Sequence, residues 1–156
     1  MNNTIYGTKF PYIPDTGDIP LVADMSSCII SEPVDVSKFG LIYAGAQKNI
    51  APAGLTIVIV REDLAGRAMK NIPIVMDYAT EIENASMYNT PSTFPIYMCK
   101  LVLEWIRDEI GGLAKMKELN EKNKERIRAM EEDGKLSYWS VLFKANSFAD
   151  LLDRMN

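Results

Sequence analysis

Two short apolar runs, Leu41 to Gly45 and Leu55 to Val60, stand only a turn's length apart, and the segment between them holds Pro52 and Gly54. Apolar runs bounded by turn formers read as strands. The gap from Asn49 to Gly54 is too short for a crossover helix, so the second strand must return antiparallel to the first. That constraint places Gln47 and Lys48 at the carboxyl end of the first strand. Open α/β sheets keep their ligands at such ends. An amine held there can condense with a carbonyl cofactor, as lysines do in pyridoxal phosphate enzymes. The position also suits a solvated turn lysine, and spacing alone does not separate the two uses.

Upstream, Ile19-Pro20-Leu21-Val22-Ala23 lies between Gly17-Asp18 and Ser26-Ser27, which predicts a buried strand over 19–23 ending in the carboxylate of Asp24. A carboxylate set against a pyridine nitrogen keeps that nitrogen protonated. An aspartate after a strand can equally cap a turn. Ser26 and Ser27 can donate to a phosphate or serve as ordinary loop residues. Downstream, Asn89-Thr90-Pro91 precedes Phe94, Tyr97, Met98, Leu101, Val102, Trp105 and Ile106, an apolar stripe at helical spacing. Thr90 reads as an N-cap with Pro91 at the first helical position, and the helix runs to about Glu109, ended by Gly111-Gly112. A helix start offers free N–H groups to a phosphate.

The remaining segments predict a short helix over 61–69, a loop or short strand over 74–88, a helix over 113–132 with a half-polar seam, and a last short helix over 148–155. The expected class is α/β with a mixed sheet, and 156 residues suit one domain or a large piece of one. A net charge of −4 without a dense basic patch argues against nucleic acid as a partner. The lysines and arginines of 115–128 alternate with Glu118, Glu121 and Glu125, as on a solvated helix face. Neither a signal peptide nor a membrane-length apolar run is visible. Two cysteines, Cys28 and Cys99, and no histidine argue against a zinc site and fit a reducing, cytoplasmic setting.

Val22-Ala23-Asp24-Met25-Ser26-Ser27, Tyr43-Ala44-Gly45-Ala46-Gln47-Lys48-Asn49, Leu55 to Arg61 with Glu62-Asp63-Leu64, and Tyr88-Asn89-Thr90-Pro91 together resemble the phosphoserine aminotransferase family in order and spacing. These are class V, fold-type I pyridoxal phosphate enzymes of serine biosynthesis. The likeness covers roughly residues 2 to 125. It implies part of a fold-type I large domain, with a mixed, mostly parallel sheet, cut at both ends relative to the family. It divides the chain into a partial cofactor-binding domain (1–110), a linking helix (111–133) and a diverged tail or start of a C-terminal domain (134–156). It implies that Lys48 carries the Schiff base with pyridoxal 5'-phosphate and that Asp24 pairs with the pyridine nitrogen. By the same likeness, Thr4 lies beside the ring and Gln47 contacts the phosphate. Asn89 and Thr90 reach the cofactor phosphate of the neighbouring subunit in a homodimer. The implied reaction is amino transfer between glutamate and 3-phosphohydroxypyruvate.

The chain departs from the family in three ways. Ala51 stands where a glycine is usual, which would strain the turn if that position needs a positive φ. A family His-Arg pair for the substrate has no counterpart in a chain without histidine. The family's N-terminal phosphate cup and ring-stacking aromatic are not found upstream of these motifs. Impaired catalysis is therefore one expectation. The other is a non-catalytic remnant that persists as a binding or oligomerising module, with an unpaired sheet edge and exposed apolar side chains.

Overall fold

A computed structural model describes residues 5–132; Thr4 and the helix expected over 148–155 lie outside the described residues. The chain divides into two compact units, Met1–Met116 and Lys117–Asn156. The first contains a three-stranded sheet of order β1-β2-β3, built from β1 (Val22–Asp24), β2 (Leu41–Gly45) and β3 (Thr56–Val60). β1 runs parallel to β2, with Asp24 opposite Tyr43. β3 returns antiparallel, with Leu41 opposite Val60 and Gly45 opposite Thr56. The mixed sheet thus brings the carboxyl ends of β1 and β2 to one end, beside the start of β3.

Ala23, Met25, Phe39 and Ile42 form one buried cluster on the sheet. Side chains alternate along a strand. Ile42 and Ala44 are accordingly buried and Tyr43 is exposed. The same alternation corrects the expectation of a buried first strand: only Ala23 of β1 is buried, while Val22 is 58% exposed and Asp24 is also exposed. The strand also starts later than expected, at Val22, and takes in Asp24. Pro20 has no N–H to give a ladder. It packs so tightly on Gly40 that a Cβ there would stand 2.6 Å from the Pro20 Cβ.

Ala46, Ile50 and Cys99 form a second buried cluster, with Ile29, Ile30, Ala51, Leu55 and Ile57 against it. It joins the lysine turn to a long helix. Before that helix, the segment expected to be a short helix over 61–69 forms a single 3-10 turn, Glu62–Leu64. Gly66, at φ 78°, turns the chain away from helical geometry. The segment 74–88, expected as loop or strand, instead holds a 3-10 turn, Ile74–Met76, and helix α1 (Tyr78–Glu83). Asp77 caps α1 by accepting the Ala79 N–H at 3.0 Å.

Helix α2 (Thr93–Trp105) continues as a π-helical turn over Ile106–Ile110 and stops at Gly111, φ 86°. The glycine stop is as expected; the start is not. Ser92 is the N-cap, and Thr90 and Pro91 lie outside the helix. Pro95 falls in the first turn, where its missing N–H breaks no intrahelical bond. The apolar stripe is split: Pro95, Cys99 and Ile106 are buried, while Phe94, Tyr97, Leu101 and Trp105 are exposed. Its apolar arc is wider than the sheet side it covers. Helix α3 (Leu113–Glu132) has the expected bounds, and its side chains from Lys117 to Met130 are exposed. No helix among the described residues is long and apolar enough to cross a membrane.

Candidate active site

Asp24 closes β1 and holds its position by hydrogen bonds rather than burial. Its Oδ1 accepts the Ser26 N–H at 2.8 Å. The Ser26 hydroxyl also favours the ionised carboxylate. The Ser26 Oγ accepts the Gly45 N–H at 2.9 Å, and the side chain is buried at 8% exposure. The two Ser26 donors hold the Asp24 carboxyl below the usual carboxylate range; partial desolvation opposes them, and the Lys48 ammonium adds attraction. Asp24 is therefore ionised at neutral pH and shares an electrostatic field with Lys48.

Lys48 ends a 3-10 turn, Ala46–Lys48, that follows β2 directly. Ala46 is wholly buried and anchors this turn. Its N–H donates to the Leu55 carbonyl at 2.9 Å, and its carbonyl accepts the N–H groups of Ile50 and Ala51, each at 3.0 Å. Lys48 projects from that anchor into solvent-exposed space. The next residue, Asn49, donates its side-chain amide to the Ile29 carbonyl. Ala51 does not adopt a positive φ, so the glycine usual in the family is not needed here. The left-handed conformation falls to Gly54, φ 109°, which packs beside Ser92 and Pro95 at the start of α2.

Gln47 is exposed, and its amide folds back over Gly45, where an added Cβ would stand 3.0 Å from Oε1. Asn89 and Thr90 are also exposed. The Asn89 amide donates locally to the Thr90 carbonyl at 3.4 Å, and neither residue bonds to Asp24, Gln47 or Lys48. The structure thus brings Asp24, Gln47 and Lys48 to one end of the sheet, and Asn89 and Thr90 make no hydrogen bond to them. The roles of Ser26 and Asn49 are not visible in sequence, because their partners lie 19 and 20 residues away. No group of metal-ligating side chains occurs among the described residues.

These side chains fit pyridoxal phosphate. An ionised carboxylate can pair with the ring nitrogen, an amine within its field can meet the aldehyde, and an exposed amide can donate to the phosphate.

Comparison with known proteins points the same way. The phosphoserine aminotransferase of Pseudomonas putida is 54% identical over 126 residues, which are 81% of this chain and 35% of that protein. That of Herpetosiphon aurantiacus is 46% identical and matches 99% of this chain and 41% of its own length. This second match runs on through most of 134–156, past the point where the motifs fade. Solved phosphoserine aminotransferases share the fold. The one from Bacillus circulans subsp. alkalophilus superposes with a TM-score of 0.75 at 45% identity, covering 92% of this chain and 36% of that one. A pyridoxal-phosphate-bound one from Trichomonas vaginalis gives 0.76 at 43% identity, covering 81% and 37%. The chain therefore spans 35% to 41% of the length of these curated relatives. With the family model for class-V aminotransferases matching residues 1–137, the kinship is plain: this chain belongs to the class-V aminotransferase family.

Proposed function

We propose that this chain is the cofactor-holding part of a pyridoxal phosphate aminotransferase that moves an amino group between glutamate and 3-phosphohydroxypyruvate. One observation carries the proposal: Asp24 closes β1 and Lys48 ends the turn that follows the parallel neighbour β2, so the acid and the amine stand at the same end of the sheet. The relatives' shared name, at 46% to 54% identity, supports the substrate pair. Bound pyridoxal phosphate supplies an aldehyde and a ring that withdraws electrons from the substrate Cα. Asp24 keeps the proton on the ring nitrogen. Lys48, as the amine beside that acid, accepts a proton at Cα and returns it. Gln47 donates its amide to the phosphate.

Asn89 and Thr90 serve the site of a second copy in a homodimer. Their exposure is what such a role requires. Residues 1–110 form the cofactor-binding portion, 111–133 the connecting helix and 134–156 a tail or the start of a C-terminal domain. The setting is cytoplasmic.

The test is a pyridoxal phosphate titration of the chain and of Lys48→Ala, followed by visible absorbance. The proposal expects a lysine-dependent band in the first protein and none in the second. Identical spectra would remove the cofactor. Adding glutamate and measuring 2-oxoglutarate then tests amino transfer. A band without product would leave cofactor binding standing and remove transamination by this chain alone.

A further inference from the structure

The geometry points to Ser26 and Asn49 as positioning residues that brace Asp24 against Lys48, an inference that rests on the reading of this pair as the cofactor site. Asp24 ends β1 and Lys48 ends the turn after β2, and both are exposed. The β1–β2 ladder pairs Asp24 with Tyr43 and ends there, short of the lysine turn, and side-chain bonds extend the tie beyond it. The first residues of the loop that follows Asp24 supply two of them.

At the near end, β1 stops at Asp24 and the Met25 N–H makes the last ladder bond, to the Tyr43 carbonyl at 2.8 Å. The Gly45 N–H, one step further along β2, takes the Ser26 Oγ as its acceptor. A serine hydroxyl has one proton and two lone pairs. Ser26 gives its N–H to Asp24 at 2.8 Å and an Oγ lone pair to Gly45. One buried serine therefore links the acid to the strand end from which the lysine turn springs. Three residues after Ser26, the Ile29 carbonyl accepts the side-chain amide of Asn49, the residue immediately after Lys48.

Around these ties the loop is tightly folded. The Ile29 N–H reaches the Met25 carbonyl at 2.8 Å, and the Ser31 Oγ reaches the Cys28 carbonyl at 2.6 Å. Ile30 sits at φ 60°, a region that a β-branched residue enters only under constraint. Ile29 and Ile30 pack against Ala46, Ile50 and Cys99, beneath the lysine turn. The loop is bent so that it meets that turn at two points. A loop that only connected β1 to β2 would need neither contact.

Ser26→Ala, Ser26→Thr and Asn49→Ala, made in the 156-residue chain, test the brace through two readouts. The first is the Asp24 carboxyl titration by carbon NMR without cofactor. The second is pyridoxal phosphate affinity, read from the adduct trapped on Lys48 by reduction. In Ser26→Ala the Asp24 midpoint rises towards the ordinary carboxylate range, and the affinity falls about tenfold, the scale of one lost charge-assisted hydrogen bond. Ser26→Thr keeps the hydroxyl and restores both. Asn49→Ala leaves the Asp24 midpoint in place and lowers the affinity; its exposed side chain removes no core contact, so it carries the test if the Ser26 variants do not fold. An unchanged Asp24 midpoint in Ser26→Ala, or unchanged affinity in Ser26→Ala or Asn49→Ala, overturns the brace. Failure of the unmodified chain to form an adduct overturns the cofactor reading instead, and the titration still decides whether Ser26 holds Asp24.

Discussion

Replacing Gly45 by alanine separates the stability of this fold from its hold on Gln47. Gly45 has φ −68° and ψ 126°, which alanine adopts without strain. A glycine-to-alanine change at such a position stabilises by about 0.4–1 kcal/mol, because the unfolded chain loses freedom. The new Cβ would stand 3.0 Å from the Gln47 Oε1 and 3.2 Å from its Nε2. A flexible side chain can move off by a few tenths of an ångström, at a cost of about 0.5–1.5 kcal/mol if it leaves its rotamer. The two effects nearly cancel, so the folding free energy changes by less than about 1 kcal/mol. The residue keeps its N–H and hence the bond to Ser26. What is lost is the place of the Gln47 amide. An unmatched phosphate contact costs about 1–3 kcal/mol, or about 5- to 150-fold in pyridoxal phosphate affinity. Urea unfolding followed by circular dichroism gives the stability, and cofactor titration gives the affinity. A loss of more than about 2 kcal/mol in stability with unchanged affinity would refute the reasoning.

Gly40→Ala behaves differently. Its Cβ would stand 2.6 Å from the Pro20 Cβ and 2.8 Å from the Leu64 Cδ1, and the proline ring cannot swing aside. Overpacking of this kind costs about 1–3 kcal/mol, and an unshifted urea midpoint would contradict it. The Asp24 carboxyl is depressed in the folded chain by Ser26 and then Lys48, so its stabilisation is complete above the ordinary carboxylate pKa and is lost as pH falls through the depressed value. Asp24→Asn should thus be less stable than the unmodified chain at neutral pH, by under about 1 kcal/mol for an exposed group, and the gap should close in acid. A gap independent of pH would refute this. Burial pushes the Cys99 thiol up, so it stays protonated. Cys99 should react with a thiol reagent more slowly than the less buried Cys28 until the chain is unfolded, and equal native rates would count against the packing of the second cluster.

The parts of this fold that depend on chain length and local backbone chemistry were legible in the sequence. The turn from Asn49 to Gly54 forces β2 and β3 to pair antiparallel, and they do. Gly111 stops the long helix in a left-handed conformation, as its position implies. The parts that depend on distant partners were not. Two prolines, Pro91 and Pro95, both suit a first helical turn; the packing of Pro95 beside Gly54 accompanies the later start. Helix α1 has six residues, too few for a periodic pattern to stand out. The apolar character of Val22 could not say which face of the sheet is covered. For the candidate site, each strand end announced its own polar residue. That Asp24 and Lys48 share a field follows only from β1 lying parallel beside β2, which no local signal specifies.

Peptide mapping of the reduced pyridoxal phosphate adduct puts the central claim to the most direct trial. At stoichiometric cofactor the added mass should fall on the peptide containing Gln47-Lys48-Asn49 and should vanish in Lys48→Ala. The same mass spread over Lys9, Lys38, Lys100 and the lysines of α3, with no preference for Lys48, would contradict the account.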